Sequence, residues 1–361
     1  MSLIKKVGLI FWNWQEKRLR AFWRLSIHTV VLLVLTSILT FGLLLLVSLI
    51  GSIGVFDLGE LSTGINTFEL MEITWVGSVI IPLATCLAIL LATYMTGRWV
   101  DRRKAIDFGI QINRDWLVDF AFGLCLGAGL MGGIFVTGLL TESITVTGYL
   151  ESFHAETGFT AGILQALFLF LMVGIYEEVL SRGYHLVNLA EGLNHKNIGK
   201  KAALILAFAF SSMVFGILHL GNPNATWIST INLTLAGMFL GLGMVLTGSL
   251  AIPIGLHITW NFFQGNVFGL PVSGMQTAAT FIATETTEHG EWLMGGSFGP
   301  EAGLIGLAAI FLGSLLTLLW VRRKQNFQLN LALAEYQSKN ENRPGEFASN
   351  DFSIADVENQ E

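Results

Sequence analysis

Long apolar runs separated by short polar stretches repeat along this chain from about residue 26 to about residue 321. Crossing a hydrocarbon core of about 30 Å takes about 20 helical residues, and eight runs reach or approach that length. They cover approximately 26–50, 75–97, 116–140, 160–182, 202–220, 228–247, 250–268 and 302–321. The fold class this predicts is all-α, a polytopic membrane bundle of about eight transmembrane helices. Composition strengthens the reading, with 53% hydrophobic and only 13% charged residues in 361, outside the usual range of soluble domains. The run Ser26–Ile50 is longer than the apolar core of a cleavable signal peptide and has no small-residue cleavage site, so it is expected to remain as the first helix.

Charge then orders the spans. Lysine and arginine fall in four places only: the N-terminal segment (Lys5, Lys6, Lys17, Arg18, Arg20, Arg24), the second loop (Arg98, Arg102, Arg103, Lys104, Arg114), the fourth loop (Arg182, Lys196, Lys200, Lys201) and the tail (Arg322, Arg323, Lys324, Lys339, Arg343). The loops around 51–74, 142–159, 221–227 and 269–301 contain no basic residue and several acids. Short cytoplasmic loops carry the positive excess, so eight spans with both termini cytoplasmic satisfy the pattern.

The leader, residues 1–25, interleaves Trp12, Trp14 and Trp23 with basic residues, the composition of an amphipathic segment lying at headgroup level. Residues 325–361 are polar and acidic and are expected to be a disordered cytoplasmic tail. Cys86 and Cys125 fall inside spans, where they read as small apolar residues rather than a disulfide or metal pair. The sequence has no glycine-rich phosphate loop, zinc-finger spacing or basic nucleic-acid surface away from the membrane, so no nucleic-acid partner is expected. Its 40 glycines suit close helix packing in lipid.

Ionisable groups at membrane depth are costly and mark function more often than packing. Apart from His28 and Asp119 near span ends, the deep ones are Glu177, Glu178, His219 and His257, with Arg182 close by. In EEVLSR, Glu178 and Arg182 are four apart and share a helix face, within reach of an ion pair. Glu177 points about 100° away, free to take a proton from water. FGILH places Phe215 and His219 on one face; HITWN does the same for His257 and Asn261. Each pair alone reads as packing or as a wet helix end. Together they assemble two carboxylates, two imidazoles and a carboxamide from three helices. That set suits hydrolysis with an activated water and an oxyanion site. It equally suits a zinc ion held by Glu177, His219 and His257 with a position open to water.

The ordered set EExxxR, FxxxH and HxxxN, carried by Glu177, Glu178, Arg182, Phe215, His219, His257 and Asn261, resembles the CPBP family of intramembrane proteases. That family includes the type II CAAX prenyl endopeptidases and the bacteriocin-processing and self-immunity proteins of the ABI group. The resemblance covers about residues 115–268, which it marks as the protease core. It sets that core between two helices with their loops (26–114) and an outer loop with the last helix (269–324). It implies an eight-helix fold with an intramembrane catalytic cavity, in a bacterial plasma membrane, cutting a peptide or lipid-modified protein among membrane lipids. It further implies Glu177 as the base helped by His219, Glu178 and Arg182 as a supporting pair, and His257 with Asn261 at the oxyanion. No cofactor is certain, and divalent zinc is the one candidate. Two non-proteolytic readings use the same residues: an immunity or scaffold protein holding a peptide in the cavity, and a proton-coupled transporter.

Helix geometry adds one expectation. The 18 residues from Lys201 to His219 rise about 27 Å, so Glu177 can meet His219 only if it too lies deep. The fourth helix should therefore continue through Arg182 to about Gly192.

Overall fold

The computed structural model describes residues 10–51, 75–153, 158–324 and 328–336. Among them are seven helices long and apolar enough to cross a membrane, and the protein is an integral membrane helix bundle. α1 is Ala21–Gly51, and α2 is Trp75–Thr96, prolonged by a π turn Gly97–Asp101. α3, Arg114–Leu140, begins where the Asn113 side chain accepts from the Trp116 backbone N–H at 2.8 Å, a standard N-cap. α4 is Phe159–Glu178, followed without a break by a π turn, Val179–His185, and α5, Leu186–Leu193. This continuous 35-residue rod is the prolonged fourth helix expected above. α6 is Gly199–Leu218, and α7, Trp227–Thr247, opens on a Thr226/Ser229 capping box and closes at Gly248 with φ +75°. α8 is Ala251–Phe262, α9 is Glu291–Met294 and α10 is Leu304–Lys324.

The expected span at 250–268 differs from the rest. α8 has 12 residues and runs into a π turn at Phe263–Val267, too short for the other helices' length class. It is enclosed by protein, with every residue from Ala251 to Ile258 buried. It still connects the two sides: the Leu250 N–H donates to Gly109 O in the basic loop, and Phe268 O accepts from Thr284 on the acidic side. Glycine makes its approach to α3 possible. A Cβ at Gly123 would sit 2.5 Å from Ile252 O, and one at Gly255 would sit 2.4 Å from Phe120 O. Gly174 on α4 faces Ile258 in the same way, at 2.6 Å.

Three further differences have physical causes. Two small antiparallel ribbons interrupt the all-helical picture: β1 (Trp12–Asn13) with β2 (Arg18–Leu19), and β3 (Ile144–Ser152) with β4 (Ala279–Thr286). The second ribbon joins the two basic-free loops on one side of the bundle. The described part of the leader, expected to lie on the membrane, is tied into the protein instead. Arg18, Arg24 and Arg103 converge on Glu191 at the end of α5, with Arg24 to Glu191 at 2.8 Å and Arg103 to Glu191 at 2.6 Å. All four side chains are buried, so this carboxylate fastens leader, α1, the second loop and the α4–α5 rod together. The described tail residues 328–336 are likewise ordered. Leu333 and Ala334 are buried, the Asn330 N–H donates to Val245 O at 2.8 Å, and the Tyr336 ring lies 3.4 Å from the Arg18 guanidinium.

Candidate active site

Glu177 and Glu178 sit at the end of α4, where the helix loosens into its π turn. Such turns are rare and collect at functional sites. The carbonyl of Ser181 within it is met by the Ser211 hydroxyl of α6 at 3.3 Å.

Glu178 is fully buried and does two things with one oxygen. Its Oε1 accepts from Arg182 Nη1 at 2.8 Å and from His257 Nδ1 at 2.8 Å. Arg182 is held from two other helices as well: Nη2 donates to Gly237 O on α7 at 3.0 Å, and the guanidinium lies 4.3 Å from the Phe215 ring centroid on α6. Phe215 therefore serves as a platform for the cation. A carboxylate only accepts, so Nδ1 of His257 carries a proton, and Nε2 faces Glu177 Oε2 at 3.9 Å. The structure thus links His257 to Glu178 as well as setting it one turn before Asn261.

Glu177, about 100° round the helix, keeps its side chain 23% exposed. Its Oε2 has no hydrogen-bond partner among the described residues. His219 closes α6 at the start of a 3₁₀ turn, His219–Gly221, and its Nδ1 lies 2.7 Å from Phe215 O. A carbonyl cannot donate, so Nδ1–H is the donor there, and in the neutral ring Nε2 carries the lone pair.

Glu177, Phe215, His219, His257 and Asn261 all line one cavity of about 770 Å³, within the range of small-molecule and cofactor sites. Glu178 and Arg182 stand behind it. Most of its wall is apolar, from α4, α6 and α7, with Thr36, Ser78 and Gln165 toward the α1, α2 and α4 side. Among the described residues no group of three or more His, Cys, Asp or Glu side chains is gathered so as to hold a metal ion. Glu177, His219 and His257 are not gathered in that way in this arrangement.

Residues 159–263 match the family model described as Rce1-like, Type II CAAX prenyl endopeptidase. This match agrees with the resemblance of the three motifs to the CPBP family, which includes the type II CAAX prenyl endopeptidases. No curated protein and no solved structure matches the chain. The matched segment runs from the first turn of α4 to the end of α8 and so contains every candidate residue of the three motifs.

Of the cavity-lining residues outside that segment, one is ionisable and has no motif to single it out in the sequence. Glu301, in the short 3₁₀ turn Pro300–Ala302 before α10, is 4% exposed and lines the cavity. Its Oε2 accepts from the Ser273 N–H at 2.8 Å, and Ser273 Oγ lies 3.2 Å from Oε1. Burial pushes its carboxyl above the usual carboxylate range. In the sequence it is an acid in a basic-free loop, indistinguishable from solvated neighbours such as Glu288.

Proposed function

We propose that this protein is a CPBP-type intramembrane endopeptidase that hydrolyses a peptide bond of a membrane-associated or lipid-modified substrate, with Glu177 activating the water. The observation that carries the reading is the pairing across one cavity wall. Glu177 Oε2 is unclaimed by any described protein donor, and it faces the Nε2 edge of a histidine whose other nitrogen is held by Glu178.

In this reading Glu177 takes the proton from a water molecule, and His219 Nε2, with its lone pair available, shares in holding that water. The hydroxyl oxygen attacks the scissile carbonyl carbon, and the oxyanion is met by donors from His257 Nε2 and the Asn261 carboxamide. Donation from Nε2 requires the doubly protonated ring, because Nδ1 is already committed to Glu178. Two carboxylates, one guanidinium and one imidazolium then sum to zero, the arrangement that low-dielectric surroundings favour. When the tetrahedral intermediate collapses, the proton held by Glu177 passes to the departing amine. Glu178 and Arg182 touch no reacting atom; they orient His257.

The largely apolar cavity wall favours a substrate that reaches it from the lipid. Residues 115–268 form the protease core in this reading, with 26–114 and the outer loop and last helix, 269–324, flanking it. All basic loops face one side, which we assign to the cytoplasm of a bacterial cell, together with both chain termini.

A comparison of newly formed peptide ends in membranes from cells carrying the wild type or Glu177→Gln tests the proposal before any substrate is identified. Termini that occur only with the wild type are expected. Identical sets from both would remove the proteolytic reading.

A further inference from the structure

His219 itself is tied to its own helix, by its backbone N–H to Gly216 O and Ile217 O and by Nδ1 to Phe215 O. After Leu218 the backbone tightens into the 3₁₀ turn His219–Gly221, and Asn224 follows with φ +57°. The part of the turn beyond His219 is held in addition by a loop about 50 residues away. Asn222 Nδ2 donates to Ser273 O at 3.0 Å, and the backbone of Gly274 lies so close to Pro223 that a Cβ there would stand 1.9 Å from its carbonyl oxygen.

Ser273 is itself in a conformation that needs support. Its φ of +47° is left-handed, which costs a non-glycine residue about 1 kcal/mol or more and persists only where surroundings over-determine it. Three contacts supply that support. The Ser273 N–H is held by Glu301, the Gly274 N–H donates to Phe298 O at 2.8 Å, and Gln264 Nε2 donates to Pro271 O at 2.6 Å.

We propose that Glu301 is a positioning residue of the active site, which acts through Ser273 and Asn222 to fix the His219 turn at the cavity. The chain of contacts is continuous: Glu301 Oε2 to Ser273 N–H, Ser273 O to Asn222 Nδ2, and the Asn222 N–H to His219 O at 3.1 Å. Burial pushes the Glu301 carboxyl up, and the hydrogen bonds it receives from the Ser273 N–H, Gln264 and the Ser273 hydroxyl oppose that shift. Ser273 Oγ donates to Oε1 at 3.2 Å, and the Gln264 carboxamide bonds the same carboxyl. The carboxyl is thus a connector that gathers Ser273 and Gln264 at one point. The catalytic importance of that connector rests on the role proposed for His219, but its structural role does not.

Carbethoxylation of histidine by diethyl pyrocarbonate, followed residue by residue with mass spectrometry on the purified full-length protein, reads the turn directly. The reagent takes the unprotonated ring nitrogen, which in His219 is Nε2. Glu301→Gln retains an acceptor for the Ser273 N–H, so its His219 rate is expected to stay within about two-fold of wild type. Glu301→Ala strands the Ser273 N–H and is expected to raise the His219 rate about five-fold, the net worth of one hydrogen bond. The exposed His195 and His289 stay unchanged as internal references. Asn222→Ala cuts the same chain without touching Glu301 and is expected to give the same rise, which also covers the case in which Glu301→Ala does not accumulate. A His219 rate within two-fold of wild type in Asn222→Ala, or a rise shared by His195 and His289, overturns the proposal. Failure of the wild type to cleave any peptide would count against the proposed function and leave the carbethoxylation result standing.

Discussion

Arg182→Met is expected to lower the stability of the detergent-solubilised protein by about 3–5 kcal/mol, because it strands a buried carboxylate. Glu178 is fully buried and Arg182 is its only cationic side chain within 4 Å other than His257 among the described residues. The same substitution removes the donor to Gly237 O and the cation over Phe215, so three helices lose a common tie. Adding Glu178→Gln to Arg182→Met should recover part of the loss, since the remaining group is then neutral. Arg182→Lys should fall between, as an ammonium keeps the charge but cannot reach Glu178 and Gly237 with a fixed fork. Chemical unfolding of the four proteins in one detergent measures this. A loss below about 1 kcal/mol for Arg182→Met, the worth of a surface pair, would mean that the pair is not buried as described.

His257→Ala should act on rate more than on folding. Arg182 still neutralises Glu178 in that variant, while the oxyanion loses one of its two proposed donors. Removal of such a donor typically lowers kcat by about 10²–10³-fold. KM should change little, since the donor matters most when charge develops on the carbonyl oxygen. Steady-state cleavage of a substrate peptide identified from the membrane comparison separates the two constants. An unchanged kcat with a raised KM would move His257 from the oxyanion to substrate binding.

Hydropathy makes most of the fold legible, because lipid and a protein interior both demand apolar surface. For the same reason it cannot distinguish α8 from a lipid-spanning helix. Residues Ala251–Leu256 are apolar or small throughout, yet protein surrounds them rather than lipid. The leader misleads for a related cause: tryptophans beside arginines have the composition of a headgroup anchor, yet Arg18 and Arg24 are buried against a glutamate 170 residues or so further on. No local pattern records such a partner. The tail residues Leu333 and Ala334 fill a small gap on the basic side, too brief a signal for a run of hydropathy.

At the site, spacing reveals what one helix can show. Glu178 with Arg182 and His219 with Phe215 are pairs at i and i+4, and both contacts are present. The contact from Glu178 to His257 joins α4 to α8, so the motif order could suggest proximity but not which atoms meet. Glu301 gives no signal because its burial is created by chain folding around the outer loop. Its one sequence trait, an acid after Gly-Pro, is common in exposed turns.

Glu177, in the reading proposed here, activates water for peptide cleavage in a cavity within the bundle. The most direct test is cleavage by purified protein in lipid vesicles, with the peptide found in the membrane comparison, measured for wild type and Glu177→Gln side by side. The wild type is expected to cut the peptide. Glu177→Gln, matched in size and only partly buried, should fold and bind it but cut about 10²–10⁴-fold more slowly, the usual worth of a positioned base. Cleavage by Glu177→Gln at the wild-type rate would contradict a role for this carboxylate as the base.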